Sequence, residues 1–298
     1  TRLTWHAYPL SETRMEREIG RTGIKVYPIG FGALHLSKSG RPDEEAAIGV
    51  IKAALDAGVT FIDTADSYCT SEEDINHNEK LIAKALKRLG VQGRVTVATK
   101  GGMTRPGGAW QTNGRPEHLL HACEASLRAL EMDCIALYQL HWPDPEVPYL
   151  ESVGALQQLQ DQGKIRHIGV SNVNEALLET AQHIVQVVSV QNRFNLTDQV
   201  DLHNGFIGRC AREGISYLPY SPVGGGSGHR ELARQALLME LAAKYGASPY
   251  RVTLAWMLGL GHNVLPIPGA SKATSIQDSA AAVALTLEET DVARLCEV

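Results

Sequence analysis

The chain has 298 residues, of which 44% are hydrophobic and 20% charged, with a formal net charge of −5. That balance is the balance of an ordinary globular protein. The negative charge and the absence of any Lys/Arg run exclude the electrostatic footprint of a nucleic-acid binder, and no stretch approaches the ~18 consecutive apolar residues of a membrane helix. The five cysteines (Cys69, Cys123, Cys134, Cys210, Cys296) are odd in number, scattered and without a C-x-x-C spacing. A reducing cytoplasm is therefore expected rather than a disulfide framework. Residues 1–18 lack an apolar core and do not read as a signal peptide.

Residues 1–13 read as an irregular arm. Met15–Ile19 and Ile24–Tyr27 flank the turn Gly20-Arg21-Thr22-Gly23, which predicts a β-hairpin. A rhythm of short apolar runs and helix-like stretches follows. Tyr27–Gly32 precedes a helix over Asp43–Gly58; Thr60–Asp63 precedes one over Asn78–Leu89; Arg94–Lys100 precedes one over Pro116–Leu130, with Pro116 in the first turn. Cys134–His141 precedes Leu150–Gln162, Ile165–Ser171 precedes Asn174–Gln182, and Val185–Gln191 precedes Gln199–Glu213. Ile215–Tyr220 precedes Glu231–Tyr245, and Asn263–Ile267 precedes Thr274–Val283. Leu287–Leu295, within a helical segment 285–298, closes the chain. Strict alternation implies parallel strands with right-handed crossovers. Eight such units predict one α/β domain over 1–298, a closed (β/α)8 barrel with the hairpin at its bottom. An open doubly wound sheet is the rival, but Gly30-Phe31-Gly32-Ala33-Leu34-His35 lacks the third glycine of its phosphate loop.

A barrel places its chemistry at the C-terminal ends of its strands. Strand two ends in Asp63, followed by Thr64-Ala65-Asp66-Ser67-Tyr68; strand three ends in Lys100; strand four ends in His141. Neighbouring strands thus present Asp, Lys and His at their exits, with a Tyr one short turn beyond. A phenol titrates near ~10 in water. An adjacent ammonium stabilises its phenolate, and Asp63 can partner Lys100. His141 can hold and polarise a carbonyl oxygen beside Tyr68. Such a site protonates a developing alkoxide, and another group must deliver a hydride.

The later strands carry neutral groups. Ser171, Asn172 and Gln191 suit the grip of a carboxamide. The Tyr220 ring can stack on a planar ring. The glycines of Ser221-Pro222-Val223-Gly224-Gly225-Gly226-Ser227 let backbone N–H groups approach a pyrophosphate. Gly269-Ala270-Ser271-Lys272 leads into a helix, a plausible phosphate position. The Gly-rich segment Gly101–Arg115 sets specificity as barrel loops do. Trp110 within it, Trp142 after strand four, and Leu34 are expected to wall a substrate pocket.

Taken together, Gly30-Phe31-Gly32, Asp63-Thr64-Ala65-Asp66-Ser67-Tyr68, Ala98-Thr99-Lys100, Leu140-His141-Trp142, Ile168-Gly169-Val170-Ser171-Asn172, Val190-Gln191, Tyr220-Ser221-Pro222 and Ile267-Pro268-Gly269-Ala270 make the chain resemble the aldo-keto reductase superfamily from about Met15 to Val283. The resemblance implies a (β/α)8 barrel that binds NADP(H), less often NAD(H), and reduces a small aldehyde or ketone. It implies Tyr68 as catalytic acid, Lys100 and Asp63 as its supporting pair, and His141 as the carbonyl-orienting residue. Ser171, Asn172 and Gln191 correspond to carboxamide contacts and Tyr220 to the nicotinamide-stacking ring. Ser221, Pro222, Val223 and Gly224 begin the pyrophosphate loop, with Gly32, Ala33 and Asp63 as further cofactor contacts. Gly269, Ser271, Ser275, Asp278 and Ser279 correspond to the adenosine-phosphate segment. Many NADP-preferring members carry Arg or Gln in place of Ser275, and Glu and Asn in place of Asp278 and Ser279. Lys272 is the candidate substitute clamp; NADP(H) is the expected cofactor and NAD(H) the alternative.

Other motifs carry less. His118 and His121 form H-x-x-H on a helix with no third ligand apparent, so no metal is expected. Val173 replaces the last glycine of a G-x-S-x-G elbow, which disfavours a serine hydrolase. Cys69, next to Tyr68, reads as an inert buried thiol. A slow-turnover cofactor-binding regulatory module of the same fold is the alternative function, and the presence of His141 favours a working reductase. The short Ser227–Arg230 loop suggests an open pocket. Nothing in the sequence sets the oligomeric state.

Overall fold

The computed structural model describes residues 16–226 and 228–298. The expected arm 1–13, the start of the hairpin at Met15, and Ser227 lie outside the described residues. In chain order, β1 (Arg17–Glu18) and β2 (Lys25–Val26) form an antiparallel hairpin around Gly20–Gly23. β3 (Phe31–Gly32) is followed by a 3-10 turn at Ala33–Leu36 and α1 (Glu44–Asp56), whose N-cap Asp43 accepts from the Ala46 N–H. β4 (Phe61–Asp63) leads to α2 (His77–Arg88), and β5 (Thr96–Gly101) to a small antiparallel pair, β6 (Met103–Thr104) and β7 (Gln111–Thr112), before α3 (Pro116–Leu130). β8 (Ile135–Leu140) precedes α4 (Tyr149–Asp161), and β9 (Ile165–Ser171) precedes α5 (Glu175–Gln182). β10 (Val187–Gln191) precedes α6 (Val200–His203) and α7 (Phe206–Glu213). β11 (Ser216–Tyr217) precedes α8 (Gly228–Leu232), α9 (Ala236–Tyr245) and α10 (Pro249–Gly259); α11 (Ala273–Ala280) and α12 (Glu289–Cys296) close the chain.

Seven parallel strands are ordered β11-β10-β9-β8-β5-β4-β3. The eighth staves the gap as residues 263–269. Tyr217 N donates to Asn263 O at 2.7 Å and Leu265 N to Tyr217 O at 2.8 Å on one side. On the other, Gly30 N donates to Pro266 O at 2.9 Å and Gly32 N to Pro268 O at 3.0 Å. The two prolines remove donors, so this stave forms isolated bridges instead of the regular strand expected over Asn263–Ile267. The result is the (β/α)8 barrel.

Two apolar layers hold it. Phe61, Ala98, Leu137, Val188, Leu218, Leu265 and Ile267 point inward, and Ile19 and Val26 of the hairpin plug them from below. The larger cluster packs the helices on the outside of the staves. Arg17 ties the hairpin to the carbonyls of Leu258, Gly261 and Val264.

Three helical expectations change. The single helix Gln199–Glu213 is two, because Gly205 sits at φ +82° between them. The expected helix Glu231–Tyr245 is likewise two, α8 and α9, with the break at residues 233–235. α10 has no counterpart in the sequence reading. Its Val252–Met257 run is buried throughout, so it lacks the one-sided periodicity that marks a surface helix.

Candidate active site

The parallel register levels the strand ends. Lys100 pairs with Gln139, Gln139 with Gly169, and Ser171 with Gln191. Gly169 makes room here, since a Cβ on it would lie 2.8 Å from the Gln139 side chain. Lys100 is fully buried and donates to Asp63 Oδ2 at 2.6 Å, to the Thr64 carbonyl at 2.7 Å and to the Tyr68 hydroxyl at 3.1 Å. The second Asp63 oxygen accepts from Gln191 Nε2 at 2.8 Å and Gln139 Nε2 at 3.2 Å. A buried ion pair persists only with such full satisfaction of its remaining atoms. The rings of Tyr68 and His141 meet edge-to-face, 5.6 Å between centroids, and Trp110 completes the triangle at 6.4 and 6.2 Å.

The electrostatics follow from burial. Burial works against the Lys100 charge, but Asp63 and Tyr68 outweigh it and its pKa lies above the ordinary ammonium value. Burial raises the Tyr68 pKa; Lys100 draws it down, Asp63 pushes it up, and the net direction is upward. The lowered value that a Lys neighbour alone suggests is therefore not found, because burial outweighs Lys100. His141 is driven well below the usual imidazole range by burial and by Lys100, so it is neutral at pH 7.

Around this centre opens a cavity of about 830 Å³. Gly32, Leu34, Asp63, Tyr68, Trp110, His141 and Trp142 line it, as do Ser171, Asn172, Gln191, Tyr220, Ser221, Pro222 and Val223. Gly269, Ser271, Ser275, Asp278 and Ser279 line it too. Lys100 stands beneath Tyr68, while Ala33, Gly224 and Lys272 do not line the cavity; Lys272 is the N-cap of α11. Asn172 and Ser221 hold left-handed backbones, φ +59° and +51°, a conformation that persists only where neighbours fix it. Asn172 donates to the His141 carbonyl and the Ser171 hydroxyl, both at 3.0 Å, and accepts from the Tyr220 hydroxyl at 2.8 Å.

Several lining groups were not legible in the sequence. Met103 and Ile267 are apolar walls. His35, Lys38 and His229 cluster near Gly269, and His35 Nδ1 is buried without a hydrogen-bond partner among the described residues. Burial, then Lys38 and His229, lowers the His35 pKa to about 4. Arg251 of α10 holds Asp278 at 2.6 Å, and Ser248 donates to the same carboxylate. The Cys69 thiol is pushed up to about 11 by burial. Among the described residues no three His, Cys, Asp or Glu side chains converge as metal ligands would, and His118 and His121 lie away from the cavity lining.

The sequence model of the Aldo/keto reductase family matches residues 28–298. The chain belongs to the aldo/keto reductase family. A soybean (Glycine max) protein named Probable aldo-keto reductase 1 is 32% identical over 309 residues, covering 94% of this chain and 87% of that one. Among solved structures, the thermostable aldo-keto reductase Tm1743, crystallised with the inhibitor epalrestat, is 31% identical at a TM-score of 0.81, covering 95% of this chain and 98% of that one. An aldo/keto reductase from Klebsiella pneumoniae, crystallised with NADP and acetate, is 25% identical at a TM-score of 0.77, covering 94% and 93%. The family assignment carries with it nicotinamide-dependent reduction of small carbonyl compounds in general terms.

Proposed function

We propose that this aldo/keto reductase uses NADPH to reduce an aldehyde or ketone, with Tyr68 as the proton donor. The observation that carries the reading is the Lys100 ammonium shared by Asp63 and the Tyr68 hydroxyl, with neutral His141 alongside. The cavity suits a nicotinamide dinucleotide. Gly224, Gly225 and Gly226 all have positive φ, and a Cβ on Gly225 would lie 2.6 Å from Ser221 Oγ, so that loop is a cradle kept free of side chains. His35 and Lys38 line the same cavity, and a Cβ on Gly269 would lie 2.5 Å from His35 Nδ1, so the backbone there is also kept free of a side chain. Asn172, Ser171 and Gln191 would hold the carboxamide, and the Tyr220 ring the nicotinamide face. Ser271, Ser275, Asp278 and Ser279 would border the adenosine. Arg251 pairs with Asp278, so that wall repels a 2′-phosphate less than a bare carboxylate would and admits NADPH.

Reduced nicotinamide, when bound, supplies the hydride. The protein's residues supply the rest. His141 and Tyr68 converge on the substrate oxygen, and His141, being neutral, adds no charge that would compete with Lys100. Tyr68, its pKa raised by burial, keeps its proton at neutral pH and is loaded as an acid. Lys100 then stabilises the phenolate left after transfer, and Asp63 fixes Lys100 in place through all of this. Tyr68→Phe should leave NADPH affinity unchanged and lower kcat by about 10²- to 10⁴-fold. Steady-state kinetics with NADPH binding measured in parallel checks this, and a Phe variant with wild-type turnover would overturn the assignment.

A further inference from the structure

The loop after β5 is a built arm. β6 and β7 pair Met103 with Thr112 and Thr104 with Gln111. At its tip Gly107 and Gly108 turn with φ +55° and +84°. Arg105, only 7% exposed, folds back under that tip. Its Nη2 donates to the Gly108 carbonyl at 2.6 Å and to the Thr70 carbonyl at 3.4 Å, and its Nε to Gly108 at 3.2 Å. Thr70 is two residues beyond Tyr68, so one guanidinium joins the arm to the segment bearing the proton donor.

The same guanidinium lies over the Trp110 ring at 4.0 Å. A planar cation on an indole face combines stacking with cation–π attraction. Trp110 is nevertheless 47% exposed, and it lines the cavity while Arg105 does not. Arg105 therefore covers one side of the indole, and the rest of the ring meets the cavity beside Tyr68 and His141. Nη1 of Arg105 is buried with no hydrogen-bond partner among the described residues.

We propose that Arg105 is a positioning residue for substrate selection, fixing Trp110 as a rigid wall over the reacting position so that the site favours carbonyl compounds bearing a flat aromatic ring. This rests on the reading of Tyr68 and His141 given above. A flat ring gains edge-to-face or offset contact with a wall that is already in place. A small aliphatic aldehyde reaches Tyr68 without spanning Trp110 and gains nothing from it.

The test is a double-mutant cycle of Arg105→Met and Trp110→Ala, with benzaldehyde and propanal as substrates and NADPH in excess. Arg105→Met should raise KM for benzaldehyde roughly tenfold with a much smaller change in kcat. The benzaldehyde-to-propanal ratio of kcat/KM should fall by a similar factor, and NADPH affinity by calorimetry should not change. In the Trp110→Ala background, Arg105→Met should add nothing. Should the Met variant fail to fold, Arg105→Lys, which keeps the charge but loses the planar fork, carries the same expectation. Additive effects in the cycle, or an equal loss for both aldehydes through kcat, would overturn the role of Arg105 while leaving the reductase reading intact. A wild-type protein that binds NADPH but oxidises it with neither aldehyde, nor with any of a broad carbonyl panel, would overturn both.

Discussion

Behind the tyrosine lie two buried carboxyl groups, Asp66 and Glu79, on each of which Lys100 is the smallest of several influences. Asp66 is raised well above the usual carboxylate value, first by burial and then by Glu79. Ser67 holds one side of it, and its Oδ1 has no partner among the described residues. Glu79 is raised by burial too, eased by Thr99 at 2.5 Å and Asn76 at 2.6 Å. A carboxyl whose folded pKa exceeds its unfolded one holds more protons when folded. Its stabilising contribution is complete below the unfolded value, near ~4, and is lost as pH rises through the folded value. Asp66→Asn, neutral at every pH, should escape that loss. Its Tm at pH 8 should exceed that of the wild type, and the gain should shrink towards pH 4. Calorimetry showing a pH-independent difference would count against the buried-acid account. Glu79 was invisible in the sequence because nothing local marks a first-turn Glu as buried, and Asp66 stood out only as a member of the run leading to Tyr68. Gln139 was closer to legible: it lies two residues before His141, on the same face of β8, where Leu137 already points inward. Asp63, Lys100 and His141 were readable because each ends a strand, where a barrel has no apolar neighbour to offer.

The hairpin acts at the opposite end of the staves. Arg17 satisfies three carbonyls between α10 and the eighth stave, Gly20 N donates to Ser216 Oγ at 2.8 Å, and Ile19 and Val26 fill the barrel floor. A Cβ on Gly20 would lie 2.7 Å from the Val188 carbonyl, so this turn must be glycine to sit so close. Arg17→Ala leaves those carbonyls without their charged donor and should cost about 2–3 kcal/mol of stability. Urea unfolding measures it; NADPH affinity should stay unchanged, because the cavity opens at the other end of the barrel. The hairpin was legible because a Gly-bounded turn is local chemistry. α10 was not, although Ser248 caps Arg251 N and Pro249 opens the helix. Start signals without an amphipathic stripe give periodicity nothing to detect, and with α10 went Tyr250, which lines the cavity, and Arg251, which pairs with Asp278. The β6–β7 arm was readable only as a Gly-rich loop, since two-residue strands carry no alternation.

At the level of the whole molecule, binding and folding are linked. A dinucleotide in the proposed site, lined by residues from β3, β9, β10 and the loops before α8 and α11, would bind only the folded chain. NADPH at 100 times its Kd should therefore stabilise the protein by about 2.7 kcal/mol. A thermal-shift titration reads this directly, and NADH at equal concentration tests the preference for NADPH proposed above. The seam that closes the barrel adds a consequence in time. Gly30 and Gly32 bond to Pro266 and Pro268 across nearly the entire described chain. Contacts of such separation demand the most loop-closure entropy and form slowly. Gly32, Ile267 and Gly269 on that seam also line the cavity. The pocket cannot exist on a partly synthesised chain, nor on one whose ring has not yet met itself. Its ligand thus recognises only finished rings, and the arrival of cofactor binding during refolding marks the moment at which the two ends of the sheet join.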